Sequence, residues 1–159
     1  MKKILGITMI CSCLFSCKKE TAIIEEPSLT DVVEMKRALI NTSWVLNHTA
    51  LIYNPDLVDN SEVESCKKDD TYRFKPDGNA DVEFGTSDCS FPFNSGNYGT
   101  WDLQGNILKQ NVTRDVPGFI NGEVIFWTVD YISQNKLRIK RLVTEPGKTF
   151  TQMDTYIRR

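Results

Sequence analysis

Few residues of this chain are equipped for chemistry. His48 is the sole histidine among 159 residues, five positions are cysteine, and carboxylates gather at Asp69-Asp70 and at Asp77, Asp81 and Glu83. A serine triad needs a histidine beside a serine and a carboxylate. Ser43 is near His48 in sequence, but five residues along an extended strand place the two on opposite faces. Asp77, Asn79 and Asp81 mimic the first ligands of a calcium loop, yet Val82 holds the sixth place, where glycine is required, and Asp88 the twelfth, where glutamate closes the site. Pro76-Asp77-Gly78-Asn79 is better read as a turn, because proline presets φ and glycine and asparagine tolerate positive φ. The expectation is a non-enzyme with no catalytic residues, no metal site and no cofactor.

Cysteine placement is more informative. Lys2-Lys3, the apolar run from Ile4 to Leu14 and the small residue Ser16 have the form of a secretory leader. The run is about eleven residues, against roughly twenty needed to span a bilayer as a helix, so it is not expected to remain as a transmembrane segment. With Cys17 directly after Ser16, Leu14-Phe15-Ser16-Cys17 resembles the lipobox of bacterial lipoproteins. That resemblance implies that Cys17 is the lipid attachment site and the first mature residue, and that the protein partners the membrane through an N-terminal lipid. A diacylglycerol thioether plus an amide-linked acyl chain exceeds the two signals needed for stable anchoring. By the same resemblance, Lys18 at the second mature position implies transfer to the outer membrane of the cell envelope.

Removing residues 1–16 leaves 143 residues, a size for one domain, and loss of Lys2 and Lys3 takes the formal charge from −2 to −4. Nucleic-acid binding requires clustered Lys and Arg. Lys67-Lys68 is followed at once by Asp69-Asp70, so no such cluster exists and nucleic acid is not an expected partner. Cys11 and Cys13 leave with the leader, and the remaining pair, Cys66 and Cys89, is expected to form one disulfide in an exported chain. Closing a loop of about 23 residues stabilises the fold by roughly 3 kcal/mol in the chain-entropy account. A zinc site at the same pair would need two further ligands, and only His48 is on offer.

The elements that must position everything else follow from periodicity. Residues 17–27 read as lipid anchor and tether, and 28–159 as the folded domain. Ser28 or Thr30 can cap one short helix near 30–40, with Val32, Val33, Met35, Leu39 and Ile40 available for its buried stripe. From there the pattern changes to period two. Eight strands are expected, at 43–53, 71–75, 80–85, 99–104, 107–112, 123–133, 136–143 and 149–158, with turns at 76–79, Gly105-Asn106 and Pro146-Gly147. Sequential strands with short connections favour an antiparallel meander, and closure into an eight-stranded up-and-down barrel removes its exposed edges.

Asn41-Thr42-Ser43-Trp44-Val45-Leu46, Tyr72-Arg73-Phe74 before Asp77-Gly78, Gly99-Thr100-Trp101-Asp102-Leu103 and the closing Tyr156-Ile157-Arg158 resemble the lipocalin-like domains of small bacterial lipoproteins over about residues 40–158. The resemblance is to the looser group, since Thr42 stands where lipocalins carry glycine. An eight-stranded barrel is wide enough to hold one small ligand or to be filled by its own side chains. Trp101, Trp127, Tyr131, Phe74 and Phe84, with Phe150, are the candidates to line an apolar cup, and Trp127 and Tyr131, four apart on one strand, are expected on the same inward face. A small apolar or amphipathic ligand is the expected partner. The alternative is an accessory or structural subunit of an outer-membrane assembly, meeting a protein through the 85–99 loop with its Phe91, Pro92, Phe93 and Tyr98.

Overall fold

The structure is a computed structural model, and it describes residues 26–40, 42–54, 57–61, 63–87, 94–116 and 119–159. One helix, α1 (Val32–Ile40), precedes nine strands: β1 (Ser43–Asn54), β2 (Leu57–Ser61), β3 (Thr71–Phe74), β4 (Asn79–Glu83), β5 (Gly96–Gln104), β6 (Ile107–Val112), β7 (Val124–Ile132), β8 (Lys136–Glu145) and β9 (Lys148–Arg158). A single 3-10 turn, Ser65–Lys67, lies between β2 and β3. Every neighbouring pair is antiparallel, and β9 returns to β1, so that Trp44 faces Arg158 and Ile52 faces Thr151. β1 and β3 to β9 therefore form a closed eight-stranded up-and-down barrel, as the alternation predicts. β2 is the addition. It pairs with the far half of β1, at 49–54, on the edge whose near half is taken by β3.

Helix α1 starts at Asp31, whose Oδ1 accepts the backbone N–H groups of Val33 and Glu34 at 2.9 and 3.0 Å. Asp31 is thus the cap in place of Ser28 or Thr30. The Ser28 hydroxyl instead accepts from the Ile132 backbone at 3.2 Å, tying the lead-in segment to the end of β7. Met35 and Leu39 are buried, and the Trp44 indole donates to the Leu39 carbonyl at 3.4 Å. The helix thereby lies across one end of the barrel, over Trp44, Phe74, Trp101, Ile132 and Leu137 in the same apolar core.

Three β-bulges decide which side chains enter the barrel. In β1 the register slips between Leu46 and His48, in β5 between Asn97 and Gly99 opposite Ala80 and Asp81, and in β7 between Val129 and Tyr131. Each adds one residue to one strand, which reverses the inward and outward sets beyond it. The β5 bulge also extends that strand back to Gly96 and brings Tyr98 into the core at 1% exposure. Tyr98 is therefore a core residue and not part of a contact loop. Gly99 is required there, because a Cβ would stand 2.0 Å from the Asn111 carbonyl oxygen of β6.

Candidate functional site

Buried aromatic and aliphatic side chains of the described strands pack inside the barrel. A small void among these side chains, about 10 Å³, is lined by Trp44, Tyr72, Phe74, Tyr98, Gln110, Phe119, Leu137, Ile139 and Tyr156. That is room for about one water molecule, against some 300–1,000 Å³ for a ligand pocket. Eight of these side chains stand on strands; Phe119 comes from the link between β6 and β7, where residues 116 and 119 form an isolated bridge. Its ring stacks on Tyr98 at 6.0 Å and 16°. Tyr72 meets Tyr98 and Tyr156 edge to face at 6.2 and 5.9 Å. Burial pushes the phenols of Tyr72, Tyr98 and Tyr156 up, which keeps all three neutral and available as hydrogen-bonding groups.

Two polar chains run through this half of the barrel. In the first, the Trp127 indole donates to Gln110 Oε1 at 2.9 Å and the Gln110 amide donates to the Tyr98 hydroxyl at 2.9 Å. In the second, Thr49 Oγ1 donates to Asp154 Oδ1 at 2.9 Å, the Gln152 amide donates to Asp154 Oδ2 at 3.0 Å, and Arg141 Nε donates to Gln152 Oε1 at 3.0 Å. The Arg141 guanidinium lies 4.7 Å above the Trp127 ring and meets Glu123 at 3.4 Å. Desolvation raises the Asp154 carboxyl above its ordinary range, against the opposing bonds from Gln152 and Thr49. These pairings satisfy groups that would otherwise be costly inside a barrel.

The lipocalin-like domain family matches residues 40–139. The chain belongs to that family. No curated protein matches the sequence. Lipocalin-like barrels are in general ligand-binding folds rather than catalytic ones, so the chemistry of this barrel is expected in its interior and at its mouth.

Within the lipocalin-like barrel, Phe74 and Trp101 are buried together at 5.3 Å, and the Trp101 indole donates to the Lys75 carbonyl at 3.0 Å. Trp127 is buried as expected, Phe84 is half-buried against the core just after β4, and Phe150 packs on Tyr53 at 5.4 Å. Tyr131 departs from expectation. The β7 bulge turns it outward, where Lys136 and Arg138 lie 5.7 Å from its ring and its hydroxyl donates to the Glu26 carbonyl. Ile132 takes the inward place and is fully buried, because the added residue shifts it to the interior face. Of the candidate aromatics, only Phe74 borders the void.

Gln110, Phe119 and Arg141 are not among the expected site residues, and Tyr98 is expected only in the 85–99 contact loop. Gln110 and Arg141 carried a readable signal: each sits at the inward parity of its strand, between Leu108 and Val112 and between Ile139 and Val143. A polar residue in an otherwise apolar set marks either a paired interior group or a site. Phe119 carried none, since nothing local tells that a loop ring enters the barrel.

The chemistry-capable residues stay apart. The β1 bulge puts Ser43 and His48 on the same outer face, not opposite ones, but about 16 Å apart at roughly 3.3 Å per residue. Ser43 Oγ is taken by Arg73 at 3.0 Å, and His48 Nε2 sits 3.2 Å from Asn60 Oδ1 on β2. Asp77 accepts from the Asn79 backbone at 3.0 Å, the turn chemistry expected of it. Asp69 Oδ2 accepts the backbone N–H groups of Thr86 and Ser87, and Asp70 Oδ1 accepts that of Gly85. Gly85 leaves room for this clamp, since a Cβ would meet Asp69 Cγ at 1.9 Å. The Ser87 and Thr86 bonds lower the Asp69 carboxyl, whereas desolvation raises that of Asp70. Among the described residues no three His, Cys, Asp or Glu converge as a metal-holding group. Cys17, Cys89 and residues 91–93 of the expected contact loop lie outside the described residues.

Proposed function

We propose that this protein is an envelope lipoprotein, held in the outer membrane through Cys17, whose barrel binds one small apolar or amphipathic ligand. The leader at 1–16, the tether at 17–27 and the barrel domain at 28–159 are the parts this reading requires. The observation that carries it is Phe119: a loop ring, stacked on Tyr98, fills the place that a flat or branched apolar ligand would take among Tyr72, Tyr156 and Gln110. The eight strand residues form the cup, and the ligand replaces Phe119. Cys66 and Cys89 close the neighbouring loop in this reading. Cys66 lies three residues before Asp69, Cys89 two after Ser87, and Asp69 already binds Ser87.

Titration of the purified protein with an environment-sensitive apolar dye tests the binding. Phe119→Ala is expected to bind the dye several-fold more tightly than the wild type, because it vacates a ring-sized space among packed aromatics. No dye binding by either form overturns it. A second reading then gains weight from the outer face, where Phe126 and Leu142 on neighbouring strands are 58% and 72% exposed beside Val124. Such a contiguous apolar surface suits a protein partner.

A further inference from the structure

A second recess lies at the helix-covered end, outside the barrel. Its volume is about 210 Å³, and Arg37, Arg158, Glu34, Thr42, Gln134 and Leu29 line it. Two guanidiniums and one carboxylate line it; that carboxylate is engaged by Arg37 at 2.6 Å, and the Glu26 carboxylate nearby is held by the Asn135 amide. Arg158 makes no side-chain hydrogen bond or ion pair among the described residues. The recess is therefore a locally cationic site on a chain whose formal charge is −2. Its donors suit a phosphate diester, which guanidinium groups engage through paired N–H bonds.

Its position argues for the source of that phosphate. The first described residue, Glu26, is fastened beside the recess: its carbonyl accepts from Tyr131 and its carboxylate from the Asn135 amide at 2.8 Å. Asn135 adjoins Gln134, and Leu29, three residues after Glu26, lines the recess itself. Nine peptide units separate Glu26 from Cys17, a reach of roughly 30 Å at full extension. Resting on the lipid-anchor reading, the recess lies within that reach of the bilayer surface. We propose that the Arg37–Arg158 recess receives the phosphate of a membrane phospholipid headgroup, which seats the helix-covered end on the bilayer and turns the barrel mouth away from it.

The test uses the lipidated full chain in phosphatidylglycerol vesicles that carry a headgroup-linked quencher. A fluorophore is attached through Asn106→Cys, in an exposed turn at the helix-covered end, or through Pro146→Cys, in an exposed turn at the mouth. The expected result is several-fold stronger quenching at position 106 than at 146, and loss of most of that difference in the Arg37→Gln, Arg158→Gln double variant. Both arginines are surface residues, so folding of the variant is checked by its unchanged melting curve. Equal quenching at both positions in vesicle-bound protein overturns the proposal. A difference that survives the double variant also overturns it, because the tether alone would then set the orientation. Saturable binding of glycerol phosphate without vesicles, together with quenching unaffected by the substitutions, assigns the recess to a free phosphoester and overturns it as well. Protein that fails to co-sediment with the vesicles overturns the anchor reading and the proposal together, a result distinct from the others.

Discussion

The two ends of the barrel are built on different principles. At the helix-covered end the strands are joined by tight turns after β3, β5 and β7, and the interior is Met35, Leu39, Trp44, Phe74, Trp101, Leu103, Ile132 and Leu137, apolar side chains brought together without a buried charge. At the mouth the links after β4 and β6 are longer, and Thr49, Gln110, Arg141, Gln152 and Asp154 stand inside among the aromatics. An apolar end gains stability simply by excluding water, at about 25 cal/mol per Å². A polar end needs each group paired, and pairings can be exchanged for those of a ligand. The contrast assigns stability to one end and, on the proposed ligand-binding function, recognition to the other.

The contrast breaks most easily at Trp44, which is completely buried between α1 and the barrel. Trp44→Ala is expected to destabilise the fold by roughly 3–5 kcal/mol, read by denaturant unfolding, since transfer and cavity costs add. A loss under about 1 kcal/mol would show that the helix is not the clamp that this end requires. At the mouth, Cys66→Ser is expected to cost about 3 kcal/mol under oxidising conditions and nothing under reducing ones. Mass mapping that finds both thiols free in exported protein would defeat that expectation.

The smallest effect sharpens the comparison through pH. Asp154 has its folded value raised above the ordinary carboxylate value of about 3.9, so the folded state holds more protons than the unfolded one between those two values. Stability contributed by the neutral form is present below the unfolded value and is lost as pH rises through the folded one. Asp154→Asn keeps an acceptor for Thr49 and removes the titration. It is expected to raise stability at neutral pH by on the order of 1 kcal/mol and to flatten the melting temperature across the acid range. An unchanged pH profile would show that the Asp154 charge is already compensated by Arg141.

Alternation along the chain by itself determined the architecture: eight strands in order, the tight turns, one helix and the burial of Phe74, Trp101 and Trp127 are all readable from local residue choice, because side-chain period two and turn chemistry are properties of single segments. Only tertiary structure decided the rest. A bulge belongs to a pair of strands, so neither the outward turn of Tyr131 and inward turn of Ile132, nor the inclusion of Tyr98, nor the shared face of Ser43 and His48 follows from one strand alone. β2 is not legible in the sequence because Leu57–Ser61 carries too few apolar residues to alternate, and it forms because the far edge of β1 offers unpaired backbone. Whether the barrel is hollow was likewise undecidable from the sequence: the space left among aromatics depends on how Phe119 and the strand side chains meet, to within the size of a water molecule.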